Sequence, residues 1–115
     1  VPFVIFKDGK PRLIVGAPGA TQIAMGVLHV ILDARGFGMT MVEAVSAPRF
    51  SATSDAIDIS NRVQGRVERE LQALGYPVVR SPYGFGFAAV HGIRIHEDGL
   101  DGGADPGHDG VVIAV

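Results

Sequence analysis

The sequence contains no cysteine, which excludes disulfides, thiolate chemistry and cysteine-ligated zinc, and leaves the redox compartment open. Long apolar runs are also missing. The longest, Phe3 to Phe6 and Val111 to Val115, have the length of strands and fall far short of the roughly 20 residues a membrane-spanning helix needs. No cationic region followed by a long apolar stretch occurs at the N-terminus, so no targeting pattern is visible and no membrane partner is expected. Charge is sparse: 19% of residues are charged, the formal net charge is −2, and lysine and arginine form no cluster. Nucleic acid is discounted on that ground, because neutralising phosphates takes a concentrated basic face. Internal repeats and low-complexity linkers are absent.

What remains is a chain of 115 residues, 47% of them apolar. That length supports one domain with one core. The apolar share is high for a monomer of this size and implies that some apolar surface meets a partner. The chain opens at Val1-Pro2 with a strand pattern already under way and no methionine, which implies sequence upstream.

Val1 to Phe6 and Leu13 to Val15 are β-rich runs joined through Lys7-Asp8-Gly9-Lys10, the pattern of a hairpin. The turn cluster Gly16-Ala17-Pro18-Gly19-Ala20 follows, and then Ile23, Val27, Val30 and Ile31, whose spacing marks one buried helical face. Asp33 to Gly38 ends that helix. Thr40-Met41-Val42-Glu43 has the capping-box pattern and opens a short second helix that must stop before Pro48. Ile57 and Ile59 alternate in a polar stretch that reads as an edge strand. Ser60 or Asn61 is the expected cap of a helix carrying Val63, Val67, Leu71 and Leu74, closed by Gly75. Pro77 to Val79, Phe85 to Val90, Ile93 to Ile95 and Val111 to Val115 supply further β runs. The fold class is mixed α/β (α+β). Within Tyr83-Gly84-Phe85-Gly86-Phe87 the two phenylalanines are read as facing one core layer, with an aromatic ligand wall as the second choice.

Four blocks in collinear order resemble the gamma-glutamyltranspeptidase family. The hairpin, Gly16-Ala17-Pro18-Gly19-Ala20 and Thr21-Gln22-Ile23 are similar to the family segment that ends in Gly-Ser-Pro-Gly-Gly before a helix. Gly38-Met39, Glu43-Ala44-Val45 and Ala47-Pro48-Arg49 resemble its Gly-Met, Glu-Ala-Val and Ala-Pro-Arg stretch. Leu74-Gly75-Tyr76 and Val78 look like its Leu-Gly-His-x-Val helix exit. Asp105-Pro106 and Asp109-Gly110 resemble its Asp-Pro-Arg-x-Asp-Gly signature, with Gly107 standing where the family has arginine and His108 beside it.

The resemblance implies part of an αββα N-terminal-nucleophile hydrolase sandwich with antiparallel sheets, in which residues 1–115 form the C-terminal portion of the small catalytic subunit. It also implies a self-cleaving precursor and a threonine nucleophile upstream of Val1. No Thr-Thr-His segment occurs, and Thr21, Thr40 and Thr53 are read as lying in or beside helices, so none substitutes. The Ser-Ser block that holds the donor's glutamyl group is likewise missing, and Pro2 resembles the proline just after it. By resemblance, Gly19 and Ala20 supply the backbone N–H groups of the oxyanion hole and so touch the substrate. Ala20 in place of glycine keeps its N–H but resists positive φ, so either the backbone there suits alanine or the geometry has shifted. The implied partners are the remaining small-subunit segment, the large subunit and a small gamma-glutamyl substrate. No cofactor is implied.

Taken alone, the glycine loop also reads as an ordinary strand-to-helix turn; a phosphate cradle is disfavoured because the P-loop Gly-Lys-Ser/Thr is lacking. Arg49 is placed to pair with Glu43 or Asp105. His91, His96, Asp98 and His108 fit no metal-ligand spacing and are read as exposed turn residues, so no metal is expected. The function expected is hydrolysis or transfer of a gamma-glutamyl group through an acyl-enzyme. The alternatives are a related amide acylase of the cephalosporin-acylase kind, or a non-catalytic module whose loop holds an anion. Neither a periplasmic or extracellular location nor a cytoplasmic one is favoured.

Overall fold

The computed structural model describes residues 2–83 and 87–115. In chain order the elements are β1 (Pro2–Lys7), β2 (Lys10–Gly16), α1 (Ile23–Arg35), α2 (Met41–Ser46), β3 (Phe50–Ser51), β4 (Ile57–Ile59), α3 (Gly65–Ala73), β5 (Val78–Arg80), β6 (His91–Ile95) and β7 (Leu100–Gly103). The first hairpin turns through Asp8 and Gly9, at φ 54° and 73°. Two consecutive positive φ values match the twist of the flanking strands, which is why Asp-Gly serves here.

The main sheet has the order β1-β2-β6-β7 and is antiparallel throughout. Register fixes its two faces. Phe3, Val15, Gly92 and Gly103 form one row across the strands; Val4, Ile14, Ile93 and Gly102 form the next, on the opposite face. The first row meets the helices. Val27, Val30 and Ala34 of α1 and Met41, Ala44 and Val45 of α2 pack with Leu13 and Val15 into the core. The helical spacing expected for α1 therefore marks its buried face.

The second helix sits directly on the sheet. Thr40 Oγ1 accepts from Glu43 N–H at 3.2 Å, and Glu43 Oε2 accepts from Thr40 N–H at 2.8 Å, the expected capping box. Met41 N–H donates to Asp101 Oδ2 on β7 at 2.9 Å. The amides of this helix start are thus met partly by its own cap and partly by the strand beneath. A Cβ at Gly103 would lie 2.5 Å from Met41 O, so only glycine permits this approach.

The smaller sheet, β3-β4-β5, differs from expectation. The stretch read as an edge strand, β4, is central, antiparallel to β3 and parallel to β5. The parallel pair is joined through α3, as parallel strands require a crossover. The helix start is also displaced: α3 follows Gln64, with no side-chain cap, and Ser60 Oγ accepts from Arg62 N–H instead. Arg80 explains the shift. Its Nη1 donates to Asn61 O at 3.1 Å and Val63 O at 2.8 Å, and its Nε to Glu68 Oε2 at 2.8 Å, which turns those carbonyls away from a helical ladder. The exit follows the sequence: Gly75 has φ 91°, its N–H reaches Gln72 O, and Tyr76 N–H reaches Leu71 O, the paired bonds of a Schellman cap.

The run Val111 to Val115 forms no strand. It crosses the sheet face opposite the helices, where a Cβ on Gly102 would come within 2.8 Å of Val112 Cγ1. The glycine-rich strand β7 was not expected. Of the run expected over 85–90, Ala88, Ala89 and Val90 are buried without strand pairing, while Gly84, Phe85 and Gly86, like Val1, lie outside the described residues.

Gly103→Ala is expected to destabilise the fold by about 1–3 kcal/mol through overpacking against the α2 backbone. Thr40→Ala is expected to cost about 1 kcal/mol through loss of the cap. Urea unfolding of both variants checks the order; a smaller loss for Gly103→Ala contradicts the close approach.

Candidate functional site

Leaving β2, the chain buries Ala17, passes Pro18 and bends at Gly19, with φ 130° and ψ 31°. A short 3-10 turn, Ala20–Gln22, then leads into α1. The carbonyls of this loop are used: Gly19 O accepts from Gln22 N–H and Ala20 O from Ile23 N–H. The two consecutive amides of Gly19 and Ala20 donate to nothing among the described residues and lie at an exposed position. Gly19 packs on the next segment so closely that a Cβ would stand 3.1 Å from Ala88 Cβ. Ala20 adopts φ 50°, a left-handed conformation that costs a side-chain-bearing residue about 1–2 kcal/mol. The backbone therefore takes a glycine-like shape with alanine in it.

A cleft of about 290 Å³ opens beside the loop. Three segments line it: Pro18, Gly19 and Gln22 of the loop and its 3-10 turn, Ala88 and its neighbours, and Asp105, Gly107 and His108. Half-buried Phe87 also lines it, so this aromatic serves the cleft rather than a core layer. Its expected partner, Phe85, is outside the described residues.

Asp105 organises the last of these segments. It is 2% exposed. Oδ2 accepts from Arg49 Nη1 at 2.6 Å and from Val90 N–H at 3.4 Å, and Oδ1 accepts from Gly107 N–H at 2.9 Å. Its own N–H donates to His91 Nδ1 at 3.3 Å. Of the two carboxylates proposed for Arg49 by sequence, Asp105 is the partner, since Glu43 is occupied in the capping box. Arg49 also donates to Val45 O at 2.7 Å and Ala88 O at 3.0 Å. A cation near the C-terminal end of α2 is favoured by the helix dipole.

The guanidinium colours its surroundings. Burial first, then the Arg49 charge, lowers the pKa of His29, whose ring lies 4.4 Å from that of Phe50. Burial raises the pKa of Asp33, with Arg49 pulling in the opposite direction.

The structure separates the four residues considered as metal ligands. His91 and His108 approach, with ring centroids 5.8 Å apart, while His96 and Asp98 stay in the exposed turn between β6 and β7. No group of three or more metal-ligating side chains is found among the described residues. His91 corrects the turn reading: it is half-buried on β6 and bonded to Asp105. Thr53 lies in the loop between β3 and β4 with its hydroxyl 3.2 Å from Ser51 Oγ, not beside a helix. Gln22, a cleft residue, was unremarked in the sequence because it reads simply as part of the helix start.

The gamma-glutamyltranspeptidase family model matches residues 1–115. The chain is similar to a glutathione hydrolase proenzyme of Bacillus subtilis (strain 168), with 35% identity over 117 residues, covering 99% of this chain and 20% of the relative. It is similar also to the acylase ACY 1 proenzyme of Pseudomonas sp. (strain SE83), with 31% identity over 115 residues and coverage of 99% and 20%. The fold superposes on the gamma-glutamyltranspeptidase from Pseudomonas nitroreducens complexed with L-DON at a TM-score of 0.87, with 27% identity, over 100% of this chain and 61% of that one. The chain spans about a fifth of the length of the curated relatives it matches.

Replacing Ala20 by glycine relieves the left-handed strain and is expected to raise stability by about 0.5–1 kcal/mol, measured by urea unfolding. An unchanged or lower midpoint contradicts the strain. For His29 the folded pKa lies below the ordinary 6.5, so the unfolded chain binds its proton first as pH falls. Stability is therefore lost as pH drops from about 6.5 towards the lowered folded value, and His29→Gln is expected to flatten that loss in unfolding curves taken between about pH 7 and 5.

Proposed function

The chain belongs to the gamma-glutamyltranspeptidase family, and from that premise we propose that it is the C-terminal part of a small catalytic subunit that supplies the oxyanion-binding loop for acyl transfer. The observation that carries the proposal is the pair of consecutive amides at Gly19 and Ala20, exposed and without an acceptor among the described residues, on a positive-φ backbone whose Gly19 lines a cleft. Such a pair suits the charge that develops on a carbonyl oxygen under attack.

In the proposed reaction the nucleophile is an N-terminal threonine from a segment outside this chain. Its amine accepts the hydroxyl proton while the oxygen attacks the donor's amide carbonyl. The oxyanion accepts from the Gly19 and Ala20 N–H groups. Collapse expels the amine with the transferred proton and leaves an acyl-enzyme, which water or an amine acceptor then cleaves. The donor's glutamyl group would be held by other segments.

The sheet supports the need for those segments. Its face opposite the helices carries Val4, 46% exposed, and Ile93, 42% exposed, only partly covered by the residues around Val112. The second sheet of an αββα sandwich would cover such a face. The remaining small-subunit segment and the large subunit are the proposed partners.

The acylase relative favours a second reading, in which the same loop serves an amide acylase. Donor preference separates the two: a gamma-glutamyl anilide for the first, a glutaryl amide without the amino group for the second.

The test uses the full parent protein. Mass and N-terminal sequencing are expected to find a polypeptide that begins with threonine, and gamma-glutamyl-p-nitroanilide is expected to release nitroaniline. Gly19→Ala, which pushes the loop away from Ala88, is expected to lower kcat by about 10–100-fold. Full activity in that variant contradicts the assigned role.

A further inference from the structure

We propose that the cleft beside Gly19 receives a carboxylate of the leaving or accepting amine and that His108 and Gln22 bind it. The inference rests on the acyl-transfer reading above and extends it to a specificity-determining pair.

The cleft's polar groups divide into those already engaged and those that are not. Asp105 is engaged on both oxygens, by Arg49 and Val90 on one and by Gly107 on the other. Its charge is therefore directed into the protein and is offset there by a guanidinium. No second carboxylate lines the cleft among the described residues. Gln22 and His108 both line the cleft, and neither side chain makes a hydrogen bond among the described residues. His108 has only an edge-on ring contact to His91, which leaves its ring nitrogens available.

An imidazole offers an N–H donor in either protonation state, and a glutamine amide offers two. Two donor side chains without hydrogen-bond partners, lining a cleft that Gly19 also lines, favour an anionic ligand group. Gly107 strengthens the point. It has no side chain where the family pattern has an arginine, which leaves His108 as the donor side chain of this turn. A carboxylate accepting from His108 and Gln22 would then be steered toward the loop proposed to hold the oxyanion. Both halves of a substrate in this chemistry can carry a carboxylate, the acyl half and the leaving or accepting amine.

The test compares two chromogenic donors on the full parent enzyme: gamma-glutamyl-p-nitroanilide and its 3-carboxy-4-nitroanilide counterpart, which adds a carboxylate to the leaving group. His108→Ala is expected to raise KM about 5–10-fold where the carboxylate is read, with kcat changed less than about twofold. His108→Gln is expected to restore most of the loss, because the amide also donates. A rise for the carboxylated anilide alone supports the site; an equal rise for both overturns it. An unchanged KM for both donors, a loss confined to kcat, or a rise that His108→Gln does not reverse overturns the proposal. Wild-type enzyme that cleaves neither donor, nor a glutaryl anilide, overturns the acyl-transfer reading itself, a failure distinct from an active enzyme indifferent to His108.

Discussion

The fold around the cleft depends on one buried ion pair, Arg49 with Asp105 at 2.6 Å. A guanidinium in a residue 6% exposed is costly unless its donors are met, and here the two Nη groups reach residues far apart in the chain, while Nε has no partner among the described residues. Val45 lies in the last turn of the second helix, Ala88 lines the cleft, and Asp105 opens the turn that carries Gly107 and His108. A hydrophobic substitute of equal volume could fill the space but would not fix these three backbones relative to one another. Asp105 extends the linkage to Val90, Gly107 and His91.

The loop at Gly19 depends on that linkage at one remove. Gly19 rests on Ala88, the residue whose carbonyl Arg49 holds. The left-handed conformations of Gly19 and Ala20 are kept in place by this floor on one side and by the start of α1 on the other. Strain at Ala20 persists because the surroundings determine the backbone there, a pattern associated with positions that present backbone groups to a ligand. The same ion pair thus reaches, through Asp105 and Ala88, two segments that line the cleft and the Gly19 loop that rests on one of them.

The sequence made the hairpin, α1, the α2 capping box and the Gly75 helix exit legible because each is decided by residues within a few positions of one another. The Arg49–Asp105 pair was half legible: the arginine and two candidate carboxylates were apparent, but the choice needed Glu43 to be committed elsewhere. Other features were set by distant neighbours. Leu100 to Gly103 lacks an apolar strand pattern because Gly103 must admit the α2 backbone and Gly102 lies under Val112. The late start of α3 comes from Arg80, which takes carbonyls from residues 61 and 63. Gly19 and Ala20 were singled out by resemblance alone, while the cleft that gives them a setting, with Gln22 and His108 lining it, arises only when the two ends of the chain meet.

The central claim, that the Arg49–Asp105 pair holds the cleft and its loop together, is tested most directly by a double-mutant cycle with Arg49→Met and Asp105→Leu in the full parent protein, reading unfolding free energy and nitroaniline release together. Each single variant is expected to lose about 3–5 kcal/mol of stability by stranding a buried charge, and the double variant to lose less than the sum by about 1–3 kcal/mol. Nitroaniline release is expected to stay low in the double variant even where stability recovers, because Ala88 and the Asp105 turn are no longer fixed. Additive losses of stability, or a stable double variant with full activity, would contradict the account.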